Sequence, residues 1–217
     1  MKDMITPTQH PGRAVLRSWI VVLVLALLCL VGNWAFAGPP VLEPDKIAAA
    51  ETHMWQAYYA RDLPRLYSEM AALLRAQFRL SAGDADRIAK SLVVAAMKFA
   101  SSRANYEQVV LPDLELAYRQ LRAVLKLSFE PREAARAELA WWIARRTPDQ
   151  NHTQQVGRRI AELYSVIYGS ARPEFLEAGV LRAEAAQLRD RSGVNCDWPE
   201  VERLLRRSYR VLAEAVR

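Results

Sequence analysis

Hydrophobic residues recur at a spacing of about 3.6 from Glu43 to the end of the chain, and no window alternates as a half-buried strand does. Proline is favoured in the first turn of a helix, where its missing N–H costs nothing, and it stands at such positions at Pro44, Pro64, Pro131, Pro173 and Pro199. The pattern predicts eight helices, near 44–60, 63–80, 84–101, 106–127, 131–146, 153–168, 173–191 and 198–216. The expected fold class is therefore all-α.

The predicted helices have apolar stripes on one face, such as Leu66, Met70 and Leu74 in the second. Short links between them favour antiparallel neighbours, and the absence of a repeat at 34 to 45 residues favours a globular bundle over a solenoid. Pro112 should kink or restart the fourth helix, because it lacks the N–H that the helix needs. Side-chain acceptors that precede three of the prolines are expected to cap their helices, at Asp62, Glu130 and Asp197.

The first 37 residues have the order of a secretory signal. Basic residues precede an apolar run of 13 residues from Trp19 to Val31, and the small residues Ala35 and Ala37 follow it. The prediction is a signal peptide over 1–37 that is cleaved after Ala37. The alternative is an uncleaved transmembrane anchor, since the run extended to Ala37 reaches 19 residues. An extended linker over 38–43 would then lead into one all-helical domain over 44–217, exported across the inner membrane to the periplasm or beyond.

The exported part is basic but gives no sign of binding nucleic acid. Three of the 30 basic residues and one of the 24 acidic residues precede residue 38, which leaves a net charge of +4. Acids and bases are interleaved rather than segregated, and an exported protein rarely meets DNA. Only Cys196 remains after residue 37, so no internal disulfide is possible. The core should be held by packing.

The chain contains no recognisable metal or cofactor motif. After the predicted signal there are two histidines, His53 and His152, and neither belongs to a His-Glu-x-x-His or a Glu-x-x-His repeat. A Cys-x-x-Cys-His haem attachment, a glycine-rich phosphate loop and a Gly-x-Ser-x-Gly elbow are also missing. The prediction is that no cofactor or metal is bound, and a non-enzymatic role is favoured over an enzymatic one, which stays open.

Aromatic residues crowd the first predicted helix and make it a candidate wall of a ligand pocket. Met54 with Tyr58 and Trp55 with Tyr59 form neighbouring i, i+4 rows beside His53. The other interpretation is that these rows are ordinary core. Trp141 and Trp142 differ by about 100 degrees around their helix, so we expect one of them near the surface.

Four arginines around one predicted turn make a candidate anion clamp. Arg145 and Arg146 end the fifth helix, and Arg158 and Arg159 follow in the sixth. An antiparallel hairpin would gather them near a helix N-terminus, where a carboxylate or phosphate binds well. Cations at a helix C-terminus also have a structural explanation through the helix dipole.

The last helix has a second basic row opposite its leucines, at Arg203, Arg206, Arg207 and Arg210. Such a row fits anionic lipid headgroups or an acidic partner. The alternative is a solvated face neutralised by Glu200 and Glu202, which lie three and four residues away.

These features leave three functional hypotheses. The first is an exported or membrane-anchored, non-enzymatic helical module that binds another protein or a membrane assembly. The second is a helical binder of an apolar or anionic small molecule, with the aromatic wall and the arginine cluster as its contacts. The third is a helical hydrolase. An exposed apolar patch without a cavity would favour the first, an enclosed pocket lined by the aromatics the second, and two facing carboxylates the third.

Overall fold

A computed structural model describes residues 42–217, and this part of the chain is all-helical without strands. The predicted signal or anchor over 1–37, with its cleavage after Ala37, lies outside the described residues. The α-helices are α1 Pro44–Ala60, α2 Leu63–Phe78, α3 Ala82–Ser101, α4 Tyr106–Val109, α5 Leu111–Leu125, α6 Pro131–Arg146, α7 Thr153–Tyr168, α8 Pro173–Ser192 and α9 Trp198–Ala215. Short 3₁₀ turns at Pro148–Gln150 and Gly193–Asn195 follow α6 and α8.

The all-α prediction is confirmed for these residues, and the fourth predicted helix proves to be two. The helix is interrupted at Val110, whose φ of −107° departs from the helical value of about −63°. Pro112 is the cause, because it has no N–H to donate to the turn before it. The α5 helix restarts at Leu111 with Pro112 in its first turn. The restart that the sequence predicted at this proline is therefore observed.

Two of the three predicted caps form. Asp62 accepts a hydrogen bond from the Arg65 N–H at 3.1 Å, and Asp197 accepts one from the Glu200 N–H at 3.1 Å. The cap predicted at Glu130 is wrong, since its side chain makes no capping hydrogen bond to α6. The longer side chain of glutamate is disfavoured at this position, where short acceptors reach the first turn.

The long helices of the described part form a closed circuit. Each packs against the next long helix along the chain, with α3 packing on α5 past the short α4, and α9 packs back against α1. Ion pairs span this last contact, where Arg206 and Arg210 of α9 lie 3.1 and 3.3 Å from Asp45 of α1. Such a circuit encloses a central space. Among the described helices none combines the length and the apolar character needed to cross a bilayer.

A pair of glycines sets the distance between α7 and α8. A Cβ atom built on Gly179 would lie 2.2 Å from the Gly157 carbonyl oxygen, and one built on Gly157 would lie 2.8 Å from the Val180 Cα. Both distances are shorter than the closest approach of non-bonded atoms. At these distances the atoms that the added Cβ would meet belong to the backbone of the other helix. Only glycine therefore allows the two helices to pack at this separation.

Candidate functional site

A cavity of about 530 Å³ lies at the centre of the circuit. Its wall takes side chains from α1, α2, α3, α5, α6, α7 and α8, and it is mostly apolar. The volume falls within the range of about 300 to 1,000 Å³ that is typical of small-molecule sites. It is far larger than the voids of roughly one water molecule that ordinary packing leaves. The cavity is therefore the first candidate for a functional site.

The aromatic wall predicted on α1 faces this cavity at four of its five residues. Met54, Trp55, Tyr58 and Tyr59 line it. His53 does not, and its exposed imidazole lies 3.9 Å from the carboxylate of Glu69. The cause is helical geometry, since residue 53 precedes the row of Met54 and Tyr58 by a rotation of about 100 degrees.

Both tryptophans of α6 line the same cavity, and Trp142, which is only partly buried, is the one nearer the surface. Their rings are perpendicular, with centroids 6.2 Å apart. Trp141 is buried against its neighbours, and Trp142 also packs edge-on against Phe99 at 5.3 Å. A wide cavity makes this possible, because side chains that diverge by 100 degrees can still border one large space.

Arg145 of α6 lies on the wall and forms hydrogen bonds that connect α6 with α1 and α8. Its Nη2 donates to Asp190 Oδ2 of α8 at 2.8 Å and to the Tyr59 hydroxyl of α1 at 2.8 Å. The Tyr59 hydroxyl itself donates to Asp190 Oδ1 at 2.8 Å. Burial alone would lower the pKa of Arg145, but Tyr59 and Asp190 raise it above its ordinary value. The charge of Arg145 is thus matched by a carboxylate.

Arg146 has a different environment, without a carboxylate partner in the described residues. Its Nη1 donates to the carbonyl oxygens of Phe99 at 2.6 Å and Ser102 at 3.0 Å, and to the Tyr106 hydroxyl at 3.4 Å. The guanidinium carbon lies 3.7 Å from the centre of the Phe99 ring. These contacts fix the orientation of Arg146 at the end of α3, where free carbonyls favour a cation.

The other two arginines of the predicted clamp are not among the residues that line the cavity. Arg158 is exposed on α7, and Arg159 pairs with Glu162 of its own helix at 2.9 Å. The structure thus brings Arg145 and Arg146 to the cavity and leaves Arg158 and Arg159 away from it. The reason is that α7 directs its apolar face inward, with Leu163 and Ile167 on the wall.

A buried ion pair that the sequence analysis missed connects α1, α8 and α9. Glu51, which is fully buried, accepts from Arg182 Nη2 at 2.6 Å and Nε at 3.0 Å, and from the Tyr209 hydroxyl at 2.6 Å. Burial alone would lower the pKa of Arg182, but Glu51 holds it well above its ordinary value. One signal was available in the sequence, because Glu51 interrupts the apolar i, i+4 row of Ile47 and Trp55.

Glu138 of α6 is the second missed residue and lies on the wall itself. It accepts from the Tyr118 hydroxyl at 2.9 Å and from the Trp142 indole N–H at 2.8 Å. Burial raises the pKa of Glu138 above its ordinary value, although Arg182 and these two donors act in the opposite direction. Burial and the neighbouring Glu138 likewise raise the pKa of Tyr118 well above its ordinary range.

Two polar groups on the wall make no well-formed hydrogen bond to any described residue. They are the Trp141 indole N–H and the Tyr164 hydroxyl, in side chains that are 5% and 3% exposed. Buried donors are nearly always paired, because an unpaired one costs about 1 to 3 kcal/mol. Both residues border the cavity, but these two polar atoms expose almost no surface to it.

The basic row of α9 lies outside the cavity, and acids neutralise most of it. Arg203 pairs with Glu200, Arg206 with Glu202 at 2.6 Å, and Arg210 with Asp45 at 3.3 Å. Arg207 is exposed on the same helix. The local pairing resembles the solvated face that was the alternative to a lipid or protein contact.

The described residues show no metal-ligand cluster, and several of their large apolar side chains are exposed. No group of three or more His, Cys, Asp or Glu residues within 42–217 is arranged to hold a metal ion. The exposed large apolar side chains are distributed over six different elements, at Leu63, Val94, Val109, Leu116, Leu176 and Val194.

Comparison with known proteins adds no assignment: no family model matches the chain, and neither does any curated protein or solved structure. The functional argument therefore starts from the cavity.

Proposed function

We propose that residues 42–217 form a binding protein for a small, mostly apolar organic molecule, held in the central cavity. The observation that carries this proposal is the cavity of about 530 Å³ lined by the aromatic residues of α1 and α6. The composition of the wall supports it, since a mostly apolar lining with a few polar side chains is typical of small-molecule sites.

This proposal favours the second of the three sequence hypotheses. The first hypothesis, a protein-interaction module, would be favoured by an exposed apolar patch without a cavity, and the described residues contain a large cavity. The third, a hydrolase, requires two carboxylates free for chemistry. The wall carboxylates Glu138 and Asp190 are each engaged by two hydrogen-bond donors. Export across the inner membrane stays a prediction, since its signal lies outside the described residues.

A titration with N-phenyl-1-naphthylamine, a neutral apolar dye that fluoresces in apolar surroundings, tests the proposal. The expected result is saturable binding at one site per chain. Ala117→Phe on α5 places a ring into the cavity and should weaken binding about ten-fold or more, which is about 1.4 kcal/mol. Ala123→Phe is the matched control, because Ala123 is exposed on the same helix. It should bind the dye as the unaltered chain does.

A second variant that fills the cavity covers the case in which Ala117→Phe does not fold. Ala96→Phe reaches the cavity from α3, and circular dichroism of both variants shows whether the helices persist. Loss of dye binding in a folded Ala117→Phe or Ala96→Phe chain supports the proposal. Dye binding that never saturates, or that both folded variants retain in full, overturns it.

A further inference from the structure

The balance of charge on the cavity wall indicates which apolar molecules fit. Three guanidinium groups line the cavity, from Arg145, Arg146 and Arg182. Asp190 neutralises Arg145 and Glu51 neutralises Arg182, at distances of 2.8 and 2.6 Å. Arg146 donates only to carbonyl and hydroxyl oxygens within the described residues. One positive charge on the wall is therefore left without a carboxylate beside it.

The one wall carboxylate without an ion-pair partner lies away from Arg146. Glu138 precedes Arg146 by eight residues in α6, which corresponds to about 12 Å along the helix axis. Its two oxygens accept hydrogen bonds from Tyr118 and Trp142. Burial also favours its neutral form, because it raises the pKa of Glu138. The positive charge of Arg146 is thus separated along α6 from the carboxyl group of Glu138.

The space beside Arg146 is aromatic, and the guanidinium is already fixed in it. Phe99 lies under the guanidinium, with its ring 5.0 Å from Tyr106 and 5.3 Å from Trp142. All three hydrogen bonds of Arg146 come from Nη1. A forked guanidinium has further donors on Nε and Nη2 that suit a carboxylate or sulfonate. A cation held in apolar surroundings attracts an anion more strongly than one in water.

A cationic ligand fits this wall poorly, although aromatic cages commonly bind cations. Two rings of the wall already lie beside the protein's own guanidinium groups. Arg145 lies 5.7 Å from the centre of the Trp55 ring, and Arg182 lies 5.0 Å from that of Trp141. A further cation would meet repulsion from Arg146 and find a guanidinium group already beside each of these rings.

We infer that the ligand combines an apolar body with one anionic group and that this group pairs with Arg146. This inference rests on the proposed function, since it requires that the cavity bind a small molecule. It assigns the charge of the ligand and one specificity-determining residue, which the cavity volume alone does not.

Two dyes with the same aromatic frame test the inference. N-phenyl-1-naphthylamine is neutral, and 8-anilinonaphthalene-1-sulfonate carries one sulfonate on that frame. Arg146→Gln should weaken binding of the sulfonate dye about ten-fold or more and change binding of the neutral dye less than about two-fold. Arg136→Gln is the matched control, because Arg136 is exposed on the same helix and outside the wall. It should leave both affinities unchanged.

A displacement measurement on the unaltered chain covers the case in which Arg146→Gln does not fold. 1-Naphthoate should displace the neutral dye at a concentration about ten-fold or more below that needed for the cation 1-naphthylmethylammonium. Equal displacement by the two ions overturns the inference, and so does an equal loss of both dyes in a folded Arg146→Gln chain. If neither dye binds the unaltered chain, the proposed function itself fails, and that outcome is distinct from both.

Discussion

Arginines occur in two contrasting regions of this protein, the wall of the cavity and the outer row of α9. On α9, Arg203 pairs with an acid three residues earlier on the same helix, and about half of its side chain is exposed. On the wall, Arg182 pairs with an acid from another helix, and its side chain is 12% exposed. Water screens the first pair and is largely excluded from the second. Arg203 and Arg182 therefore belong to the same residue type in two settings, a solvated pair within one helix and a buried pair between two helices.

The largest difference between the regions should appear when Arg182 is replaced. Arg182→Met leaves the buried carboxylate of Glu51 without its cation, and we expect a loss of about 3 to 5 kcal/mol in the free energy of unfolding. Denaturant titration followed by circular dichroism measures it. The control is the double variant Glu51→Gln with Arg182→Met, which removes both charges and should lie nearer to the unaltered chain. A loss below about 1 kcal/mol in Arg182→Met would contradict the buried-pair account.

An intermediate effect is expected at Asp190, because its pair with Arg145 is only partly buried. Asp190→Asn removes the carboxylate charge that accepts hydrogen bonds from Arg145 and Tyr59, and it should lower the free energy of unfolding by about 1 to 2 kcal/mol. It also leaves Arg145 without a carboxylate, so the sulfonate dye should bind more tightly while the neutral dye does not. Weaker binding of the sulfonate dye would show that the wall does not act through its charge.

Glu138 should make stability depend on pH, in a direction fixed by burial. The pKa of Glu138 is raised in the folded protein above its ordinary value of 4.5. Below pH 4.5 the group is protonated in both states. As the pH rises through the folded-state pKa, Glu138 loses its proton more readily in the unfolded chain than in the folded one. The free energy of unfolding therefore falls. Glu138→Gln should remove this loss of stability. The melting temperature of the variant should therefore exceed that of the unaltered chain at pH 8 but not at pH 4. Parallel curves for the two chains would refute this prediction.

The smallest effect should come from the outer row. Arg203→Gln breaks only an exposed pair with Glu200 on the same helix, and we expect the midpoint of denaturation and both dye affinities to stay unchanged. The measurement is the same denaturant titration in low and high salt. A clear loss of stability would mean that the α9 row is structural and that the contrast between the two regions is wrong.

The helices were predictable because their signals are local. Prolines such as Pro44 and Pro131 fix where helices begin, and apolar stripes fix which face is buried. The closure of the circuit was not predictable, since it depends on contacts between residues far apart in sequence, such as Glu51 with Tyr209. The close approach of α7 and α8 at Gly157 and Gly179 also has no signal in a single sequence, because glycine inside a helix normally only weakens it.

The candidate site was predictable in part for the same reason. The i, i+4 rows of α1 placed Met54 and Tyr58 on one face, and that face borders the cavity. The difference between Arg145 and Arg146 was not accessible from the sequence. It arises because Asp190, 45 residues later, reaches one guanidinium and not the other.

The most direct test of the central claim is a crystal structure of the chain with N-phenyl-1-naphthylamine bound. The account predicts electron density for the dye inside the circuit, in contact with Trp141, Trp142 and the aromatic residues of α1. Density for the dye only on the outer surface, with the side chains of the wall collapsed into the central space, would contradict it.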